Sequence, residues 1–191
     1  TTAAPTTVPT TTAPPTTTSG YEPPVVPGEW PSFTPQPALT GVAALTGLPA
    51  DEPITSRAAV AVKIDNAPAA RPQWALDEAD VVFEENVESL TRFVALYQTR
   101  APELVGPVRS VRTSDLPVLA ALNRPIVGWS GGNTAVTAAM RAAAAAGVLV
   151  DAGAATSSWC YHREPGRVAP HNLAFNPNCA RDSWPDAGPA R

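Results

Sequence analysis

No lysine or arginine precedes Arg57, only 16% of the 191 residues are charged, and there are two cysteines, one methionine and no long apolar run. Each shortage excludes something. Without an apolar stretch, neither a membrane span nor a signal-peptide core can be read from these residues. A net charge of −4 excludes a broad nucleic-acid footprint, which needs a cationic face to displace counterions, and no polybasic patch faces a membrane. Cys160, His162, His171 and Cys179 lack the paired spacings of a structural zinc site, so no metal is expected. In an exported chain two cysteines point to one disulfide, Cys160 to Cys179. Nothing in the motifs asks for a cofactor.

What is abundant is proline, 23 residues in all and many of them early in the chain. Positions 1 to 38 form a Thr/Pro/Ala tract whose few apolar side chains cannot offset the entropy of ordering. This predicts a disordered stalk, of a composition that suits O-glycosylation and holds a domain away from a surface. A stalk of this kind predicts a protein exported from the cytoplasm and held at the outer face of a cell membrane, with an export signal and a lipid-bearing anchor expected upstream. The folded domain is expected at 39–176, and 177–191, rich in Pro, Asp and Gly, as an irregular, truncated tail.

Between these limits the hydrophobic period changes repeatedly. Val60, Val62 and Ile64 alternate as in a strand, with Lys63 and Asp65 on its other face. Leu76 to Ala79 reads as a helical turn, and 80–88 and 91–99 as two strands joined tightly into an antiparallel hairpin. Ser114 to Leu122 reads as a helix capped by Ser114. A strand at Pro125 to Trp129, an Ala-rich helix from Thr134 to Ala146 ended by Gly147, and a strand at Val148 to Val150 make a βαβ unit with a parallel pair. The fold class is therefore α/β: a mixed parallel and antiparallel sheet flanked by helices.

The ions sit beside apolar, strand-like runs, where an unpaired charge is costly and must meet either a partner or a ligand. Pro107 favours a turn or helix start, and a helical turn sets Arg109 and Arg112 on one face, a double fork for a phosphate or carboxylate. Lys63, Asp65 and Asn66 stand where a strand meets a loop, a common place for functional groups, though a local turn cap also explains them. Ser130-Gly131-Gly132-Asn133 either holds an anion at a helix start or is a tight turn with Asn133 as cap. His171 is either a ligand contact or a satisfied interior histidine.

Seven blocks in order carry a resemblance: Val62-Lys63-Ile64-Asp65-Asn66, Ala70-Arg71-Pro72-Gln73, Ala79-Asp80-Val81-Val82-Phe83-Glu84-Glu85, Thr91-Arg92-Phe93, Val105-Gly106-Pro107-Val108-Arg109-Ser110-Val111-Arg112, Ser130-Gly131-Gly132 and Pro170-His171-Asn172-Leu173. Together they resemble the YerB-like lipoprotein family along roughly 45–175. The resemblance implies a bacterial envelope protein, commonly lipid-anchored, of largely undefined biochemical role, with a further carboxyl-terminal domain not contained in these residues.

These readings converge on a charged cleft made by Lys63, Asp65, Asn66, Arg71, Glu84, Arg92, Arg109, Arg112 and His171. Binding of an anionic envelope component or a partner protein is the expected work, rather than catalysis. The alternative is an envelope hydrolase or transferase with Glu84 or Asp115 as acid or base and Arg109 and Arg112 stabilising negative charge. A third reading pairs all of these ions in a buried network without a ligand.

Overall fold

The computed structural model describes residues 33–87 and 89–191. The stalk expectation therefore lies almost wholly outside the described residues. From Phe33 the chain already touches the domain: its N–H donates to Ala146 O at 3.3 Å and its ring packs on a core cluster.

A short helix α1 (Glu52–Thr55) precedes strand β1 (Val60–Asp65). Then come 3-10 turns at Pro68–Ala70 and Leu76–Glu78, the hairpin β2 (Val81–Val87) and β3 (Leu90–Tyr97), and helix α2 (Asp115–Ala120). Strand β4 (Ile126–Gly128), helix α3 (Thr134–Ala145) and strand β5 (Val150–Asp151) form the expected βαβ unit. A turn at Ser158–Cys160, strands β6 (Tyr161–Arg163) and β7 (Leu173–Phe175) and helix α4 (Pro177–Ser183) complete the chain.

The main sheet has five strands in the order β2-β3-β1-β4-β5. β2 with β3 and β3 with β1 are antiparallel, whereas β1 with β4 and β4 with β5 are parallel. The mixed sheet is thus as its sequence pattern predicts. β6 and β7 pair separately.

Both faces of the sheet are covered over its inner strands, and all six residues of β1 are buried. One face packs Ala61, Val94, Leu96 and Val127 against Leu116 and Leu119 of α2 and Val136, Met140 and Ala143 of α3. The other packs Val60, Val62, Ile64 and Ile126 against Phe175, Cys160 and Ala180. Burial of this kind stabilises by about 25 cal/mol per Å² of apolar surface. It also explains how Lys63 comes to be buried: it shares the α2 side of the strand with Ala61.

Local chemistry sets the element ends. Asn133 accepts the Val136 N–H at 2.8 Å, so the Gly-Gly-Asn turn caps α3. Gly147 ends that helix at φ +77°, a conformation glycine adopts without a Cβ penalty. Ser114 makes no side-chain cap; instead Asp115 Oδ2 takes the Arg112 N–H at 2.7 Å.

Two expectations are corrected. The segment from Pro177 is not irregular throughout: it opens with α4, capped by Asn176, and Ala190 N–H still bonds Arg57 O at 3.0 Å. A Pro at the first helical position and an Asn before it are the signals that could have found the helix. The run around Arg109 is not helical either. Residues 105–111 are extended and act as a clasp along β1, because β4 pairs only as far as Val62 and leaves that edge open.

Candidate functional site

The clasp builds the site. Asp65 N–H donates to Pro107 O and Arg109 N–H to Lys63 O, both at 2.8 Å, so the clasp replaces β4 beside the carboxyl end of β1. On its far side Val108 N–H donates to Leu173 O at 2.7 Å, and Val105 exchanges two bonds with Phe175. Position 171, two residues before β7, is thereby brought over the end of β1. Gly106 permits this approach: it sits at φ +148°, and a Cβ there would lie 2.9 Å from Leu173 O and 3.0 Å from Val108 N.

Asp65 is the centre of the outer group. Its Oδ2 lies 2.7 Å from His171 Nδ1 and 3.1 Å from Arg109 Nε, while Oδ1 accepts the Ala67 N–H at 3.0 Å. The Arg109 contact is ionic and short, but Nε is poorly directed for a hydrogen bond. The carboxylate is 4% exposed, whereas the Arg109 and His171 side chains are 25% and 24% exposed. The anchor is inside and its two cationic or polar partners reach the surface. No protein group among the described residues bonds the terminal nitrogens of Arg109 or Nε2 of His171.

Asn66 extends the group. Its Oδ1 accepts from Arg71 Nε at 3.1 Å and from Gln73 Nε2 at 3.0 Å, and its Nδ2 donates to Thr91 Oγ1 at 2.7 Å. Thr91 in turn donates to Glu84 Oε1 at 2.6 Å. Gln73 also donates to Asp65 O at 3.1 Å, a linking role that sequence reasoning missed although the residue stood in a quoted block.

Beneath lies a second group. Lys63 Nζ pairs with Glu85 Oε2 and with Asp115 Oδ1, the latter at 2.6 Å. Lys63 and Asp115 are each 1% exposed, and the space beside them leaves no volume for a water molecule. Burial, then a hydrogen bond with Glu85, pushes the Asp115 carboxyl up to about 7. For Glu85 burial pushes upward too, but bonds from Asp115 and Lys63 outweigh it and the carboxyl ends below its usual value. One proton held between the two carboxyls, beside one ammonium, leaves this pocket nearly neutral. Glu85 was not singled out from sequence, although it faces away from Glu84 as the strand period requires.

Arg92 and Arg112 hold the frame. Arg92, paired in register with Asp65, donates to Ser110 O at 2.9 Å, and Arg112 to Val111 O at 3.0 Å. With the clasp extended, Arg109 and Arg112 do not form the twin fork that a helical turn would give. All nine predicted residues nevertheless lie around the carboxyl end of β1, in an inner buried layer and an outer accessible one. Cys160 and Cys179 form the expected disulfide, with Cα atoms 5.5 Å apart.

Comparison with known proteins bears on the fold and the family. A protein of Bacillus subtilis (strain 168) bearing the name "Putative lipoprotein YerB" is 44% identical over 93 residues, which is 47% of this chain and 28% of that protein. The crystal structure of YerB from Bacillus subtilis matches with a TM-score of 0.69 at 27% identity, over 78% of this chain and 52% of that one. The chain thus spans about half or less of the length of these relatives. The model of a family described as "Protein of unknown function (DUF3048) N-terminal domain" matches residues 45–189, so the chain belongs to that YerB-like family.

Proposed function

We propose that this domain is a binding module of the cell envelope that recognises an anionic group, phosphate or carboxylate, with Arg109 and His171. The observation that carries the reading is the shared anchor: one buried carboxylate, Asp65, holds both side chains and leaves their outer nitrogens free at the surface. Groups held this way meet a ligand with little loss of side-chain freedom, and Arg suits bidentate contact with an oxyanion. Asn66, Arg71 and Gln73 fix the neighbouring loop so that the site is preformed. The envelope setting rests on the Thr/Pro-rich amino-terminal tract and on the name of the Bacillus relative, which together support export and a lipid anchor on the outer face of the membrane.

The catalytic alternative has less behind it. Asp115 is sealed between the start of α2 and the sheet, against Lys63, and Glu84 is engaged with Thr91 and Asn66. A titration with inorganic phosphate and with a glycerol-phosphate oligomer, followed by ¹⁵N resonances of the His171 imidazole, tests the binding reading. A saturable shift of Nε2 that disappears in Arg109→Ala is expected. An imidazole that stays silent toward both probes overturns it.

A further inference from the structure

A recess of about 160 Å³ lies at the other end of the parallel strands, where Ala58 enters β1 and Ile126 begins β4. Arg57, Arg181 and Trp184 line it. Arg57 Nη1 donates to the carbonyls of Gln98 and Thr99 at 3.0 and 3.3 Å. Arg181 Nη2 donates to Tyr97 O at 2.8 Å, and its other contacts are Ala58 O at 3.4 Å and Asn178 Oδ1 at 3.5 Å. Every one of these acceptors is neutral. Among the described residues no carboxylate comes within 4.0 Å of either guanidinium. Asp80 acts on Arg181 only at a distance, its Oδ2 being taken by the Gln98 and Thr99 amides and its Oδ1 by the Thr99 hydroxyl. Burial first, and then the neighbouring Arg57, bring the Arg181 guanidinium down to about 10. Two cations side by side in a half-buried recess without a counter-ion are a standing cost that a bound anion would remove.

One aromatic ring, Trp184, lines the recess, and a second backs it. The Trp184 ring stacks on Trp159, with centroids 6.3 Å apart and 29° between planes. Trp159 is 63% exposed, although so large an apolar ring is normally covered, and its Nε1 donates to Ser183 Oγ at 3.2 Å. The disulfide joins Cys160, next to Trp159, to Cys179 of the helix that ends at Trp184. It therefore pins together the two pieces of backbone that carry the indoles.

We infer that this recess binds an acidic sugar, the ring lying against the Trp184 indole, which Trp159 holds in place by stacking on it, and its carboxylate or phosphate reaching Arg57 and Arg181. The volume suits one six-membered ring and is well below the several hundred Å³ of a site for larger organic ligands. The site is separate from the Asp65 group and stands or falls apart from it.

The test is saturation-transfer NMR and calorimetry on the whole chain with four probes: glucuronate, glucose 6-phosphate, glucose and inorganic phosphate. Binding of either acidic sugar with transfer to its ring C–H groups is expected, each at least about tenfold tighter than glucose or phosphate. Arg57→Gln and Trp159→Ala should each weaken that binding by about tenfold or more. Trp159 is exposed enough to be removed without unfolding, so a failure of Arg57→Gln to fold leaves the test intact. Phosphate binding as well as the acidic sugars, glucose binding as well as they do, an unchanged affinity in Trp159→Ala, or no binding at all would each overturn the assignment. Comparison of the two acidic sugars decides between carboxylate and phosphate.

Discussion

Asp65 and His171 are separated by 106 positions in sequence, yet Nδ1 of the imidazole stands 2.7 Å from a carboxylate oxygen that also faces Arg109. Asp65→Asn keeps the shape and removes the charge. It should destabilise the domain by about 1–3 kcal/mol, because Arg109 is then left beside a neutral amide and the Ala67 cap is weakened. Chemical denaturation measures this, and Arg109→Ala, at a more exposed position, should cost less.

The Lys63 group behaves differently, since Lys63 and Asp115 are closed to solvent and Glu85 is only 12% exposed. Lys63→Met removes the ammonium and leaves Glu85 and Asp115 facing each other, at an expected cost of about 3–5 kcal/mol. Replacing all three with apolar residues of similar volume should recover most of that loss. A triple variant as unstable as Lys63→Met would show that the ions themselves hold α2 on the sheet.

Stability should also depend on pH through Asp115. Its carboxyl is raised from 3.8 to about 7 on folding, so between those values the folded chain keeps a proton that the unfolded chain has lost. That contribution is complete below 3.8 and declines as pH rises toward 7, by up to about 1.4 kcal/mol per pH unit. Glu85, lowered from 4.5, works in the other direction and adds stability only above the acid range. Melting temperatures taken from pH 4 to 8 should therefore fall on the alkaline side, and Asp115→Asn should flatten that fall.

Gly106→Ala tests the clasp. The added methyl would meet backbone atoms of Leu173 and Val108, not the yielding end of a side chain, in a conformation that disfavours any Cβ. The clasp must shift, and the His171 to Asp65 contact should loosen with it. Loss of hydrogen-exchange protection at Val108 and Arg109 is the expected signature, with α3 unaffected.

The sheet was largely legible because its cues are local: alternation in β1, the tight hairpin, and the Gly-Asn turn before an Ala-rich helix. The site was legible in composition and only partly in geometry. Lys63, Asp65 and Asn66 could be chosen because polar groups interrupt an apolar run, and His171 because it stands in one of the blocks that resemble the YerB-like family. Their pairing could not be chosen, since Lys63 turns to Glu85 and Asp115 while Asp65 takes His171 and Arg109. That division depends on how far along β1 each side chain stands, Lys63 under α2 and Asp65 at the strand's end, and on a clasp that Pro107 disguised as a helix start. Gln73 and the Arg57–Arg181 recess were missed because their meaning arises only from contacts across the fold.

The clasp fixes when the domain can come into being. Its inner edge is met by β1, but its outer edge waits for Leu173 and Phe175, so a growing polypeptide cannot complete the clasp until the residues around 175 have emerged. Assembly that depends on such distant partners is slow, and during that delay Val105 and Val108 stand uncovered. A chain that crosses a membrane unfolded would meet this wait on the far side, where folding helpers rather than local helix formation would govern its yield.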